Sequence, residues 1–288
     1  MALYRLSHST IYDYAEPVVI GTHFIHLLPR ERPGQTIKEA RLSISPTPDN
    51  RRDEIDHFGN HTTSVSLTMP HKQFSVLLDA VVDVCQPSPP TDQTPDWETI
   101  AVWCQGDPDV AEFCLPSRLA EPNEDIAAYA AASFTAGRPV LDAVADLNTR
   151  IFTDMTYQPG LTNNLTTAAQ ILQTKTGVCQ DYAHLMLACL RACGLPGRYV
   201  SGYLRTLPPP GQPKRRGADQ SHAWVGVWLG PAFGWVDFDP TNNLLVTDEH
   251  VTVAWGRDFG DVSPLRGVIL GGGRHNLSVS VDLEAILT

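Results

Sequence analysis

The sequence predicts an α+β protein: an N-terminal antiparallel β-domain, followed by a region in which one apolar helix packs on an antiparallel sheet. Three observations carry this. Residues 1–85 alternate between polar and apolar in short stretches, with scarce helical periodicity. A proline-rich segment, Gln86-Pro-Ser-Pro-Pro-Thr-Asp-Gln-Thr-Pro95, then interrupts the pattern. Beyond it, a strongly apolar helical run after Cys179 is followed by segments rich in β-forming residues.

The elements follow in order. Tyr4–Tyr14, Val18–Leu28, Ile37–Ile44, Thr62–Met69 and Phe74–Cys85 read as strands. The proline-rich segment reads as a linker, which divides the chain into domains of 1–92 and 93–288. Helical patterns follow at about 109–115, 121–135 and 138–154. Thr167-Ala-Ala-Gln170 has the spacing of a capping box, opening a short helix before the cysteine. Ala183, Leu185, Met186, Leu187, Leu190 and Leu195 mark the apolar helix, with Asp181 in its first turn and Gly194 and Pro196 at its end. Strands are expected at about 198–205, 222–229, 234–239, 250–255 and 276–283, the last preceded by a Gly271-Gly-Gly273 turn. No repeat is visible.

Bulk properties narrow the function. The net charge is −11, which argues against nucleic acid or an anionic membrane as partner. No apolar stretch approaches the ~20 residues of a membrane helix, and Met1-Ala-Leu-Tyr-Arg-Leu-Ser-His8 lacks a signal-peptide core, so a cytoplasmic location is expected. Six scattered cysteines do not suggest a disulfide framework. No glycine-rich phosphate loop occurs, and no cofactor is expected.

The chemistry concentrates in three motifs: Thr176-Gly-Val-Cys-Gln-Asp-Tyr-Ala-His184, Ser221-His-Ala-Trp224 and Gly234-Trp-Val-Asp-Phe-Asp-Pro-Thr241. Cys179 falls at a predicted helix N-terminus, where unpaired N–H groups and the helix dipole favour a thiolate and can hold an oxyanion. Gly177 is read as the residue that lets the chain turn before it. Residues 222–229 and 234–239 alternate around Gly230-Pro-Ala-Phe233, which reads as a β-hairpin. If Leu229 faces Gly234, Trp224 faces Asp239 and His222 faces Thr241. His222 and Asp239 are then diagonal neighbours on one face. Asp237 shares that face, but only Asp239 lies at the strand end beside His222. Thiol, imidazole and carboxylate together meet the needs of an activated nucleophile. Cys85, Cys104, Cys114, Cys189 and Cys193 read as ordinary small side chains.

These motifs, with Gly194-Leu-Pro-Gly-Arg-Tyr-Val-Ser-Gly-Tyr203 and Asp239-Pro-Thr-Asn242, resemble the microbial transglutaminase-like superfamily, the papain-like group that includes transglutaminases and cysteine proteases. Tyr4–Tyr14, His26-Leu-Leu-Pro-Arg30 and Phe58-Gly-Asn60 resemble the bacterial transglutaminase-like N-terminal domain, and Gly256–Gly267 also resembles the family. The resemblance implies a papain-like transglutaminase core with the triad Cys179, His222 and Asp239. Animal cross-linking enzymes carry tryptophan after the cysteine, where this chain has Gln180. That difference favours a cysteine hydrolase of peptide or isopeptide bonds. A transglutaminase and a non-catalytic binding protein on the same fold are the alternatives.

Other residues complete the expectations. Tyr157, Gln180 and Trp224 are candidates to meet the substrate, Trp224 also as a shield over the triad. His8, His23, His26, His57 and His61 match no zinc spacing, so no metal is expected. Lys214, Arg215 and Arg216, in a proline-rich stretch before His222, suggest a peptide or protein substrate with acidic character.

Overall fold

The computed structural model describes residues 2–86, 88, 90, 93–206 and 219–286. Lys214, Arg215 and Arg216 lie outside the described residues.

The first sheet is built around one long strand. β1 (Ala2–Ile25) joins the two segments expected at its ends, and its alternation buries Tyr4, Leu6 and His8 on one face. β2 (Gln35–Ser45), β3 (Asn50–Ile55), β4 (His61–Leu67) and β5 (His71–Val84) complete the order β2-β5-β1-β4-β3. The sequence reading did not include β3, whose six residues are all exposed and therefore show no apolar alternation.

Helices follow: α1 (Trp97–Trp103), α2 (Pro108–Ala111), α3 (Glu124–Ala131) and α4 (Val140–Asp154). Asp96, Asp107 and Asn123 cap the first three through their side chains. The pattern at 121–135 begins late because Asn123 is the cap, and that at 109–115 is shared between α2 and a 3₁₀ turn. β6 (Thr156–Tyr157) leads to α5 (Ala168–Thr174), which opens on the expected Thr167–Gln170 capping box. β7 (Thr176–Gly177) pairs with β6 in parallel.

α6 (Cys179–Ala192) is the central helix. Every residue from Asp181 to Arg191 is buried, which explains its near-continuous apolar composition. It ends where Gly194 takes a φ of 71° and the Leu195 N–H closes onto Leu190 O. The second sheet packs on it: β8 (Gly197–Leu204), β9 (Gln220–Trp228), β10 (Trp235–Asp239), β11 (Leu244–Leu245) and β12 (His250–Gly256), in the order β11-β10-β9-β8-β12.

After α7 (Phe259–Val262), the chain returns to the first sheet. β13 (Leu265–Gly271) and β14 (His275–Ala285) both pair with β1. The strand near 276–283, read from sequence as part of the second half, thus belongs to the N-terminal sheet. A period-two pattern fixes a strand's face but not its partner.

The two sheets are joined by buried polar contacts. The Gln35 amide bonds both backbone groups of Thr252, and the Asn60 amide both of Trp255. The guanidinium carbons of Arg30 and Arg198 lie 3.2 and 3.8 Å from the Trp255 ring centroid.

Candidate active site

Cys179 is the first residue of α6, half-buried, at the end of the α5–β7 connection. Asp181, two residues on, accepts the Val178 N–H at 2.8 Å and the Thr162 hydroxyl at 2.7 Å. It therefore caps the helix and ties the 158–166 loop to the cysteine turn. Burial raises the Asp181 pKa, partly offset by those two hydrogen bonds. Gly177 does not act through a left-handed turn, since it is absent from the positive-φ residues. Its role is close approach: a Cβ there would lie 2.7 Å from Asp181 Cβ.

The hairpin has the expected register. The Leu229 N–H meets Gly234 O at 2.8 Å, and Trp228, Val227, Gly226 and Val225 face Trp235, Val236, Asp237 and Phe238. Continued along β9 and β10, it sets Trp224 opposite Asp239, and His222 Nε2 lies 2.7 Å from Asp239 Oδ2. Cys179 lies close enough to His222 for its thiol to favour the charged imidazole. With Nε2 committed to Asp239, Nδ1 is the nitrogen left for the thiol. Burial alone would depress the His222 pKa; the hydrogen bond to Asp239, the nearby Cys179 thiol and the charges of both outweigh it and raise the pKa to about 10.

Asp239 is fully buried and well supplied with donors. Its Oδ1 accepts the N–H groups of Thr241 (2.9 Å) and Asn242 (3.2 Å), an Asx turn in the Asp239-Pro-Thr-Asn242 motif. Its Oδ2 accepts Asn242 Nδ2 at 2.7 Å and faces His250 Nε2 at 3.3 Å. Burial would raise its pKa, but bonds to His222 and His250, the His222 charge and the Asn242 amide hold it well below the usual carboxylate range.

Asp237 is bound elsewhere. Arg32 Nη1 lies 2.6 Å and Arg198 Nη2 3.5 Å from its carboxylate. Burial works against its charged form, and the two guanidiniums outweigh it to keep its pKa low.

The candidate substrate contacts divide. Tyr157 pairs with Gly177 across β6 and β7, is 46% exposed, and has its pKa raised by burial and then by the charges of Cys179 and Asp181. Gln180 is half-buried in the first turn. Trp224 is 0% exposed, so it has no surface to offer a substrate. Its ring packs beside His222 at 6.0 Å and edge-on to His250 at 5.2 Å. The shield reading fits this burial.

Sequence reasoning missed His250. It begins β12, separated from β9 by β8, so no local spacing connects it to the hairpin. Asn242, in the Asp239-Pro-Thr-Asn242 motif, carries a signal the sequence shows, since an Asx turn after a strand end is legible from residue types. Among the described residues, His222, Asp239 and His250 form the one group whose donor atoms, all within 4.8 Å of one another, could hold a metal ion. The hydrogen bonds just described already use those atoms.

The pattern of the bacterial transglutaminase-like N-terminal region matches residues 4–83, and that of the transglutaminase-like superfamily matches residues 127–240. The chain belongs to the transglutaminase-like superfamily. An uncharacterized Mycobacterium tuberculosis protein is 38% identical over 97% of this chain and 92% of its own length. A solved Cytophaga hutchinsonii structure, of a protein proposed to be a cysteine protease, has a TM-score of 0.76 at 23% identity and covers 100% of this chain and 92% of that one. A Pseudomonas aeruginosa protein-glutamine gamma-glutamyltransferase is 40% identical over 72 residues, 25% of this chain and 11% of that protein. The superfamily core thus spans α4, α6 and the hairpin that holds His222 and Asp239.

Proposed function

We propose that this transglutaminase-like protein is a cysteine hydrolase of peptide or isopeptide bonds. The observation that carries the reading is the buried His222–Asp239 hydrogen bond, with Cys179 beside His222 at a helix start. The Cys179 thiolate attacks the amide carbonyl carbon, and the carbonyl electron pair moves to oxygen. Backbone N–H groups at the start of α6 stabilise that oxyanion in this reading. As the C–N bond breaks, imidazolium His222 gives its Nδ1 proton to the departing amine, leaving a thioester. His222 then takes a proton from water, which attacks the thioester. The C–S bond then breaks, the acid leaves, and the thiolate–imidazolium pair of Cys179 and His222 is restored. Asp239 holds the ring orientation and stabilises the imidazolium throughout.

Transfer to an amine is the second reading. It is favoured by the local likeness to the glutamyltransferase. The acyl-enzyme is the same, and only the acceptor differs. The test is to incubate the protein with glutamine-containing and isopeptide-linked peptides, with and without a primary amine, and weigh products and protein. A thioester adduct on Cys179 followed by free acid supports hydrolysis. An amine-conjugated product supports transfer. Absence of both across a broad peptide library, with Cys179 of ordinary reactivity, would leave a binding role on this fold.

A further inference from the structure

We propose that His250 is a positioning residue for the Asp239 carboxylate, and that the N-terminal sheet holds His250 in place through β12. The proposal rests on the triad reading of Cys179, His222 and Asp239.

The hydrogen-bond pattern sets the direction of the His250–Asp239 contact. The Thr247 N–H approaches His250 Nδ1 at 3.4 Å, so Nδ1 accepts and the ring proton sits on Nε2. Nε2 faces Asp239 Oδ2 at 3.3 Å. The carboxylate oxygen that receives His222 is therefore also held from a second side by an imidazole N–H. His250 is 1% exposed and lies against the edge-on Trp224 ring, which leaves little room for it to turn. A carboxylate with one strong donor can swing about its Cβ–Cγ bond. Donors on several sides fix its plane, and with it the ring it orients.

Position two strands away requires an unusual intervening residue. Gly202 on β8 is paired with both His222 and Thr252. A Cβ there would fall 2.4 Å from the Trp224 ring and 2.2 Å from Val251 O. The missing side chain lets Trp224 cross β8 and reach His250.

The N-terminal sheet supplies the remaining support. Among the described residues β12 is the edge of its sheet, with no strand paired on its outer side. The buried amides of Gln35 and Asn60 take that place. Gln35 Oε1 accepts the Thr252 N–H and Nε2 donates to Thr252 O, both at 2.7 Å. Asn60 does the same for Trp255 at 2.9 and 2.8 Å. Gln35 opens β2 and Asn60 closes the turn between β3 and β4, and the strand they clamp begins with His250.

The experiment needs no known substrate. The rate of Cys179 alkylation by iodoacetamide at about pH 6, below the ordinary thiol pKa of roughly 8.5, is measured by mass spectrometry in folded wild type, His250→Leu, His250→Gln and Gln35→Leu. Loss of a hydrogen bond to a charged group should slow His250→Leu by roughly tenfold or more. His250→Gln, which keeps an N–H donor, should recover most of the rate, and Gln35→Leu should fall between. A His250→Leu protein as fast as wild type, or a folded His250→Gln as slow as His250→Leu, overturns the proposal. If His250→Leu does not fold, His250→Asn, whose amide is too short to reach Asp239, takes its place against His250→Gln. A wild-type Cys179 no faster than free cysteine would remove the triad reading itself, a distinct outcome.

Discussion

His222 Nε2 lies 2.7 Å from Asp239 Oδ2, across the adjacent strands β9 and β10. Asp237, two residues earlier on the same face of β10, is engaged instead by Arg32 and Arg198. One strand thus presents two buried carboxylates with different tasks. The nearer one meets an imidazole, and the other ties Arg198 of β8 and Arg32, before β2, to β10.

That division predicts opposite outcomes for two like substitutions. Asp239→Asn should lower kcat by about three to four orders of magnitude with the fold retained, because the amide favours the wrong ring tautomer, as in a serine-protease triad. Asp237→Asn should spare kcat in folded protein but destabilise it by about 3–5 kcal/mol, since two buried guanidiniums lose their counter-charge. Urea unfolding and turnover measured on both proteins check this. A larger kcat loss in Asp237→Asn would contradict it.

Selective labelling follows from the thiol environments. Burial pushes the Cys193 thiol up to about 11, and burial with the neighbouring Cys104 pushes Cys114 up to about 12. Cys189 is fully buried and is raised further. Limited iodoacetamide at about pH 6 should therefore modify Cys179 first. Peptide mapping that found equal labelling at exposed Cys85 would count against an activated nucleophile.

Stability should fall on mild acidification. Burial lowers the pKa of His8, His23 and His184 to about 4, helped at His23 by His71 and opposed at His184 by Asp258. Their unfolded value is near 6.5, so between pH 6.5 and 4 the unfolded chain binds protons that the folded one does not. Stability from these groups is present above pH 6.5 and is lost as pH falls toward 4. Unfolding near pH 5 should take up close to three protons from these sites, read from the pH slope of urea unfolding. A flat slope across that window would contradict their neutral burial.

Gly202→Ala should disturb the site without touching a catalytic atom. The added methyl meets Trp224 and the Val251 carbonyl, at a cost of about 1–3 kcal/mol or more. Thermal unfolding together with tryptophan fluorescence should show a lower Tm and an altered Trp224 environment. An unchanged Tm would mean that β8 and β12 part easily.

The sequence by itself determined the local pieces. Glycine and proline fixed the end of α6, Thr167 and Gln170 its preceding helix, and the Gly230–Gly234 turn the hairpin register. Because strand alternation and turn geometry are short-range, they brought His222 and Asp239 together and ranked Asp239 above Asp237. What only the tertiary structure decided is what meets those residues from elsewhere. His250 meets Asp239 from β12, two strands beyond β9, Arg32 reaches Asp237 from the turn before β2, and β14 returns to β1 rather than to the second sheet. Trp224 likewise follows His222 in sequence, yet the ring is sealed beneath neighbouring strands. Partner choice between strands distant in sequence depends on packing the whole core, and a period-two pattern records only which side of a strand faces inward.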